Sequence, residues 1–211
     1  MRLPSRLLVI TDRKGAARPL EDVVGAVLRG GCRWLSVREK DLEHDERVAL
    51  LSRIVALGRS RDATITVHGD IEAAAAAGAD GVHLPAGGSP DQARARLGKQ
   101  ALIGLSAHNG VEAAAAASAA DYVTLSPIFG SISKPGYGPA LGLQGLADAA
   151  LRARVRIVAL GGIVADNLGP CLAAGAAAVA VMGAVMAAAD PEAATAAIVK
   201  ALDEAAAGAA S

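Results

Sequence analysis

Short aliphatic runs recur along the chain, each followed by a polar, glycine-bearing loop and then an alanine-rich stretch of helical character. The runs are Leu7–Ile10, Trp34–Val37, Thr64–Val67, Gly81–Leu84, Leu102–Leu105, Tyr122–Leu125, Ile157–Leu160 and Val179–Met182. Continuous rather than alternating apolar runs suit strands of a parallel sheet covered on both faces. The punctuation between them repeats as well. Arg29-Gly30-Gly31-Cys32, Ala77-Gly78-Ala79-Asp80 and Ala174-Gly175-Ala176-Ala177 each put a glycine where a helix closes in the left-handed conformation. Ser89-Pro90-Asp91-Gln92 offers an N-cap, a proline at the first helical position and a capping-box glutamine. Asn109-Gly110-Val111-Glu112 and Asp190-Pro191 follow the same logic. Eight βα units in about 205 residues predict a single-domain (β/α)8 TIM barrel. The rival is an open doubly wound sheet, and no Gly-x-Gly-x-x-Gly follows the first run to support its dinucleotide-binding form. The barrel is expected to occupy residues 1–204, leaving 205–211 as an Ala/Gly tail that frays.

Composition narrows the function more than the fold. The 211 residues carry 21 Lys+Arg against 21 Asp+Glu, and only 2% are aromatic. Balanced charge gives no electrostatic reason to hold nucleic acid or an anionic membrane, and few rings are present on which bases could stack. No apolar run reaches the roughly 18 residues of a membrane span. The apolar stretch near the start is too short for a signal-peptide core, so a cytoplasmic location is expected. Cys32 and Cys171 lack metal-ligand spacing and are too few for a disulfide framework. The alanine stretches at 73–77 and 113–117 need no function beyond forming helix close to a barrel. The exposed faces of such small-residue helices suit self-association into dimers or tetramers.

Barrel active sites lie at the C-terminal ends of the strands, so the chemistry is sought there. Arg38 and Lys40 follow the second run; they either grip an anion or form a solvated loop paired with Asp41 or Glu43. Gly161-Gly162 and Gly183-Ala184 follow the seventh and eighth runs, where barrels bind phosphate through backbone N–H groups, although a turn alone also explains Gly-Gly. Ser131, Ser133 and Lys134 add hydroxyls and a cation after the sixth. His108 is the best candidate for proton transfer, its alternative being a helix-capping loop residue. His83 is expected to point into the barrel as a packed, hydrogen-bonded group, and His44 to sit on the surface. His68 stands at a strand end with no carboxylate cluster beside it, so no metal site is expected.

Several segments resemble the thiamine phosphate synthase / TenI superfamily. They are Val37-Arg38-Glu39-Lys40-Asp41, Gly78-Ala79-Asp80-Gly81-Val82-His83-Leu84, Ser126-Pro127-Ile128-Phe129 with Ser131-x-Ser133-Lys134-Pro135, and Ala159-Leu160-Gly161-Gly162-Ile163. The match runs in order over nearly the whole chain, and the superfamily's fold is a (β/α)8 barrel. The resemblance implies one of two main activities. A thiamine phosphate synthase joins a pyrimidine pyrophosphate to a thiazole phosphate and needs Mg²⁺; its pattern has Asn-Asp after strand three and an Asp beyond the His-Leu of strand four. Here those places read His68-Gly69 and Pro85-Ala86-Gly87-Gly88-Ser89. TenI-like thiazole tautomerases aromatise a carboxythiazole phosphate by moving a proton, without metal or organic cofactor, and His108 matches their proton-transfer position.

The missing carboxylates tip the expectation toward a cofactor-independent isomerase, a thiazole tautomerase of thiamine biosynthesis. His108 then carries the proton and Ser106 orients it. Gly161, Gly162, Met182 and Gly183 hold the substrate phosphate. Arg38 and Lys40 hold its carboxylate, His68 is a second polar group, and Phe129 and Tyr137 wall the ring. The alternatives are a synthase that recruits Mg²⁺ through Asp70 or Asp12, and a non-catalytic binder or regulator of a small phosphorylated thiazole.

Overall fold

The computed structural model describes residues 2–116, 120–130 and 139–209. Its strands are β1 (Leu7–Ile10), β2 (Trp34–Val37), β3 (Thr64–His68), β4 (Gly81–Leu84), β5 (Leu102–Ala107), β6 (Tyr122–Leu125), β7 (Arg156–Leu160) and β8 (Ala178–Val181). Between and after them come α1 (Leu20–Arg29), α2 (His44–Arg59), α3 (Ile71–Ala77), α4 (Pro90–Leu97), α5 (Gly110–Ala115), α6 (Gly142–Arg152), α7 (Leu168–Ala173), α8 (Gly183–Met186) and α9 (Pro191–Ala209). All eight strands are parallel, and β1 pairs with β8 at Leu7↔Val179, Leu8↔Ala180 and Val9↔Val181. The fold is a single-domain (β/α)8 barrel. No helix among the described residues is long and apolar enough to cross a membrane.

Alternation along the strands divides the core in two. In β1, Leu7 and Val9 join the layer packed beneath the helices, whereas Leu8 and Ile10 join a separate interior cluster with Trp34, Leu102, Tyr122, Val158, Ala178 and Ala180. Each strand is thereby buried on both faces, which is why its sequence reads as a continuous apolar run. The helix ends follow the punctuation. Ser89 and Asn109 accept from the N–H groups of Gln92 (3.3 Å) and Glu112 (2.9 Å), and Asp190 accepts from Ala193 (3.0 Å). Gly78 closes α3 with φ +63°. The residues expected to fray from 205 instead continue α9 to Ala209, since alanine is the strongest helix former.

One device recurs on the face opposite the strand C-termini. Asp80 donates its N–H to the Ile65 carbonyl (2.8 Å), and its carboxylate accepts the Ile65 N–H (2.7 Å). Asp121 does the same two strands later, giving its N–H to Ile103 (2.8 Å) and accepting the Ile103 N–H (2.8 Å). Arg94 donates to that same carboxylate oxygen at 2.8 Å. The equivalent junction before β8 keeps only the backbone half, Ala177 N–H to Ile157 carbonyl at 2.8 Å. An Asp121→Ala variant leaves the Ile103 N–H and Arg94 without this partner, and it should lose about 1–3 kcal/mol of stability. Urea unfolding measures this as a lower midpoint at unchanged slope; an unshifted midpoint would show that the clasp contributes nothing.

Candidate active site

The C-terminal ends of the strands surround a mouth whose floor is a buried polar stack. His83 of β4 is only 4% exposed. Its Nδ1 meets the Tyr122 hydroxyl at 3.1 Å; its Nε2 meets Ser106 Oγ at 3.0 Å and Thr124 Oγ1 at 3.2 Å. The Tyr122 ring stacks on His83 with centroids 5.4 Å apart, and Trp34 meets Tyr122 edge-on at 4.8 Å. Gly104, the register partner of His83, makes this possible. A Cβ there would stand 2.1 Å from Tyr122 Cζ and 2.5 Å from His83 Nδ1. Burial, and after it the charge of His68, pushes the His83 imidazole down to about 3, so it is neutral at working pH. Burial likewise pushes the Tyr122 phenol up. His68, the register partner of His83 on β3, is half-buried at the strand end with its ring 5.3 Å from that of His83.

A second buried group shapes the cationic side. Glu39 is 4% exposed; its carboxylate accepts from the Thr11 hydroxyl (2.5 Å) and the Arg13 N–H (3.0 Å). Burial raises its pKa, against the pull of those two bonds. Thr11 also accepts the Arg38 N–H at 2.9 Å, so the clip fixes the backbone from which the Arg38 side chain leaves. Asp41 pairs with Arg13 and with Lys14 (3.1 Å). The alternative expected Arg38 or Lys40 to pair with Asp41 or Glu43; Asp41 is instead taken by Arg13 and Lys14. Partial desolvation, then the neighbouring Arg38 charge, holds Lys40 below the usual lysine range.

His108 lies on the rim. Its side chain is 41% exposed, and its Nδ1 (3.1 Å) and N–H (2.8 Å) both reach the Glu112 carboxylate, which those contacts hold below its usual range. Asn109 caps α5 beside it and donates to the same carboxylate at 2.7 Å. Ser106, expected to orient His108, is bonded to His83 instead.

Gly161 and Gly162 have φ +104° and +63°, and a Cβ on them would stand 2.9 Å from Pro127 Cα and 2.5 Å from the Gly130 carbonyl oxygen. Close approach of the loop after β6 therefore requires both glycines. Asn167 braces the turn, donating to the Gly162 carbonyl (2.9 Å) and accepting the Val164 N–H (2.9 Å). Met182 caps the short α8 and Gly183 begins it, the arrangement in which barrels of this class bind phosphate. Ser131, Ser133, Lys134 and Tyr137 lie outside the described residues.

Sequence reasoning placed His83 inside the barrel but missed its bond to Ser106, the burial of Glu39 and the need for Gly104. Parity along the strands carried part of the signal. Ser36, Thr66, His83, Gly104, Ser106, Tyr122 and Thr124 lie on the inward register, where barrels ordinarily place branched aliphatic residues.

The donor set does not fit the Mg²⁺ that the family resemblance implies. Residues 68–69 and 85–89 carry no carboxylate. Asp70 caps α3 through the Ala73 N–H (2.8 Å) and pairs with Arg47 (2.6 Å) and His44 (3.2 Å). Among the described residues no cluster of three His, Cys, Asp or Glu side chains is placed to hold a metal ion. Mg²⁺ demands hard oxygen ligands in near-octahedral geometry, and the mouth offers cations and imidazoles.

The neutral His83 makes stability pH-dependent. It titrates near 6.5 when exposed and near 3 when folded. Below the first value the unfolded chain takes up a proton that the folded chain refuses, so this stability is complete above pH 6.5 and is lost progressively toward about 3. Each pH unit in that window costs up to about 1.4 kcal/mol. Urea midpoints at pH 7.0 and 5.5 should fall more for the wild type than for a His83→Gln variant, and equal slopes would contradict a neutral buried imidazole.

Comparison with known proteins places these features. A family model described as thiamine monophosphate synthase matches residues 7–185. A thiamine-phosphate synthase of Roseiflexus sp. is 39% identical over 203 residues, covering 93% of this chain and 86% of the relative. One from Moorella thermoacetica is 38% identical over 189 residues, covering 89% and 90%. The solved thiamine phosphate pyrophosphorylase of Pyrococcus furiosus superposes with TM-score 0.85 at 30% identity, covering 95% of this chain and 96% of that one. These findings overturn the expectation of a thiazole tautomerase and cofactor-independent isomerase, since the relatives carry the names of transferases. The error has a physical source: absent metal carboxylates describe one corner of the mouth, whereas similarity over nine-tenths of the chain describes the whole barrel. By that similarity, the chain belongs to the thiamine monophosphate synthase family.

Proposed function

We propose that this chain is a transferase of thiamine biosynthesis that joins a pyrimidine pyrophosphate to a thiazole phosphate with departure of pyrophosphate. The observation that carries the reading is the name shared by relatives 38–39% identical over about nine-tenths of the chain. The mouth supports it. Both substrates are anionic, and Arg38 and Lys40 stand at the end of β2 on a backbone fixed by the Thr11–Glu39 clip. An arginine grips a phosphate with a planar fork, and lysine adds a mobile point charge. The thiazole phosphate is assigned to the turns at Gly161, Gly162, Met182 and Gly183, and Lys134 with Ser131 and Ser133 supplies further donors from the loop after β6. Cations aimed at a departing pyrophosphate stabilise charge that develops in the transition state. No carboxylate of the mouth is asked to hold a cation. His68 contributes a polar group beside His83. With proton abstraction from a thiazole ring no longer the reaction, His108 has the part of a rim residue that helps to anchor α5.

Incubation with both substrates, with and without Mg²⁺, should give thiamine phosphate and pyrophosphate in equal amounts. Absence of product under every condition would sink the reading. Arg38→Ala should lower kcat/KM on the order of 10²-fold, as expected for the loss of an oriented charged contact in a site of this kind; an unchanged kcat/KM would remove Arg38 from the site.

A further inference from the structure

The Asp12 and Asp41 charges both oppose ionisation of the buried Glu39 carboxylate. Neutral donors hold it instead: the Thr11 hydroxyl reaches Oε1 at 2.5 Å and the Arg13 N–H reaches Oε2 at 3.0 Å. A carboxylate taken out of water on these terms costs stability, so its place in the chain calls for a reason other than packing. The proton count supplies one. A backbone N–H only donates, so the Arg38 N–H, 2.9 Å from Thr11 Oγ1, must find a lone pair there. Thr11 is fully buried, and its single hydroxyl proton is drawn to Glu39 Oε1, which leaves its lone pairs for Arg38. The Arg13 N–H likewise needs a lone pair on Oε2, so both carboxylate oxygens accept, the pattern of the ionised form.

The carboxylate thus sets the direction of the Thr11 hydroxyl, and the hydroxyl in turn holds the amide of Arg38. The Arg13 guanidinium closes the circuit on Asp41, two residues beyond Glu39. The exits of β1 and β2 are thereby fastened through backbone and side chain alike. Arg38 and Lys40 flank Glu39 in this exit, and the Arg38 charge depresses the Lys40 ammonium, so the two cations repel. An anion that bridges them binds best if they already stand side by side. A backbone held in advance lowers the cost of ordering them at the moment of binding.

We propose that Glu39 and Thr11 are positioning residues that act through Arg38: the carboxylate turns the Thr11 hydroxyl, and the hydroxyl fixes the Arg38 backbone so that its guanidinium meets an anion pre-oriented. The inference rests on the reading above, in which Arg38 grips a phosphate of the substrate. It adds two buried groups, neither facing the ligand, that tune how well that grip is made.

The test is a double-mutant cycle between Thr11→Val and Arg38→Ala on the intact protein, read in kcat/KM and in the Kd for pyrophosphate by calorimetry. Thr11→Val removes the hydroxyl at nearly unchanged volume. Alone it should lower kcat/KM and weaken pyrophosphate binding roughly tenfold, within what a slightly misplaced contact costs. In the Arg38→Ala background the same change should cost less than about twofold, because its effect runs through Arg38. Thr11→Ser keeps the hydroxyl and should bind and react as the wild type does. Glu39→Gln offers one acceptor oxygen to two donors, so it should fall between the wild type and Thr11→Val with the same dependence on Arg38. It carries the test if Thr11→Val does not fold. A clip that merely stabilises the fold would lower the urea midpoint yet cost the same with Arg38 present or absent, and that additivity would overturn the proposal. Full activity of Thr11→Val, or pyrophosphate held by Arg38→Ala as tightly as by the wild type, would overturn it too. A chain that forms no product but binds pyrophosphate with the expected dependence fails only the transferase reading. One that forms product with additive losses fails only this inference.

Discussion

Eight short strands closed into a barrel leave an interior that can be filled only from within, and that constraint organises this molecule. In a chain so poor in aromatic residues, Trp34 and Tyr122 are both spent there, with His83 stacked on the second ring. Their bulk is admissible because Gly104 withdraws its side chain, and the remaining volume is closed by Leu8, Leu102, Val158 and Ala180. Packing density in such an interior leaves little freedom for the rings, so the polar atoms they carry are held at fixed points under the mouth.

Fixed polar atoms inside a low-dielectric barrel have consequences that surface groups do not. A histidine that cannot charge is a poor base but a dependable dipole, and its orientation is set by what lies beneath it. The bonds from His83 to Ser106, Tyr122 and Thr124 tie β4 to β5 and β6, and Thr66 ties β3 to the Leu35 carbonyl of β2. Glu39 plays the corresponding part on the cationic side, where a buried carboxylate joins the exits of β1 and β2. Arg38 and Lys40 stand on one side of the mouth and Ser106 and the Glu112 carboxylate on another, within a protein whose net charge is zero.

Much of this architecture was legible before any coordinates. Every aliphatic run became a strand to within one or two residues, because a strand buried on both faces is built mainly from apolar residues. Gly78, Ser89 and Asn109 ended or began helices as their side chains require. What sequence could not supply was pairing across strands. The reach from His83 to Ser106 and Tyr122 depends on the stagger of the barrel, and the burial of Glu39 depends on Thr11 arriving from another loop. The activity was misjudged for a related reason. Residues 68–69 and 85–89 were weighed as absent ligands, when the extended resemblance elsewhere spoke for the synthase family.

The aspartate clasps at Asp80 and Asp121 separate two duties by geography. They tighten the end of the barrel remote from the mouth, joining each of two neighbouring strand pairs through both backbone and carboxylate. Folding is therefore secured at one pole, while the proposed substrate site occupies the other. Such a division leaves side chains at the mouth, His68-Gly69 and Gly87-Gly88 among them, outside the contacts of the two clasps. For protein engineering, the same division marks the mouth as the place to graft a new donor set and the clasped pole as the place to leave alone.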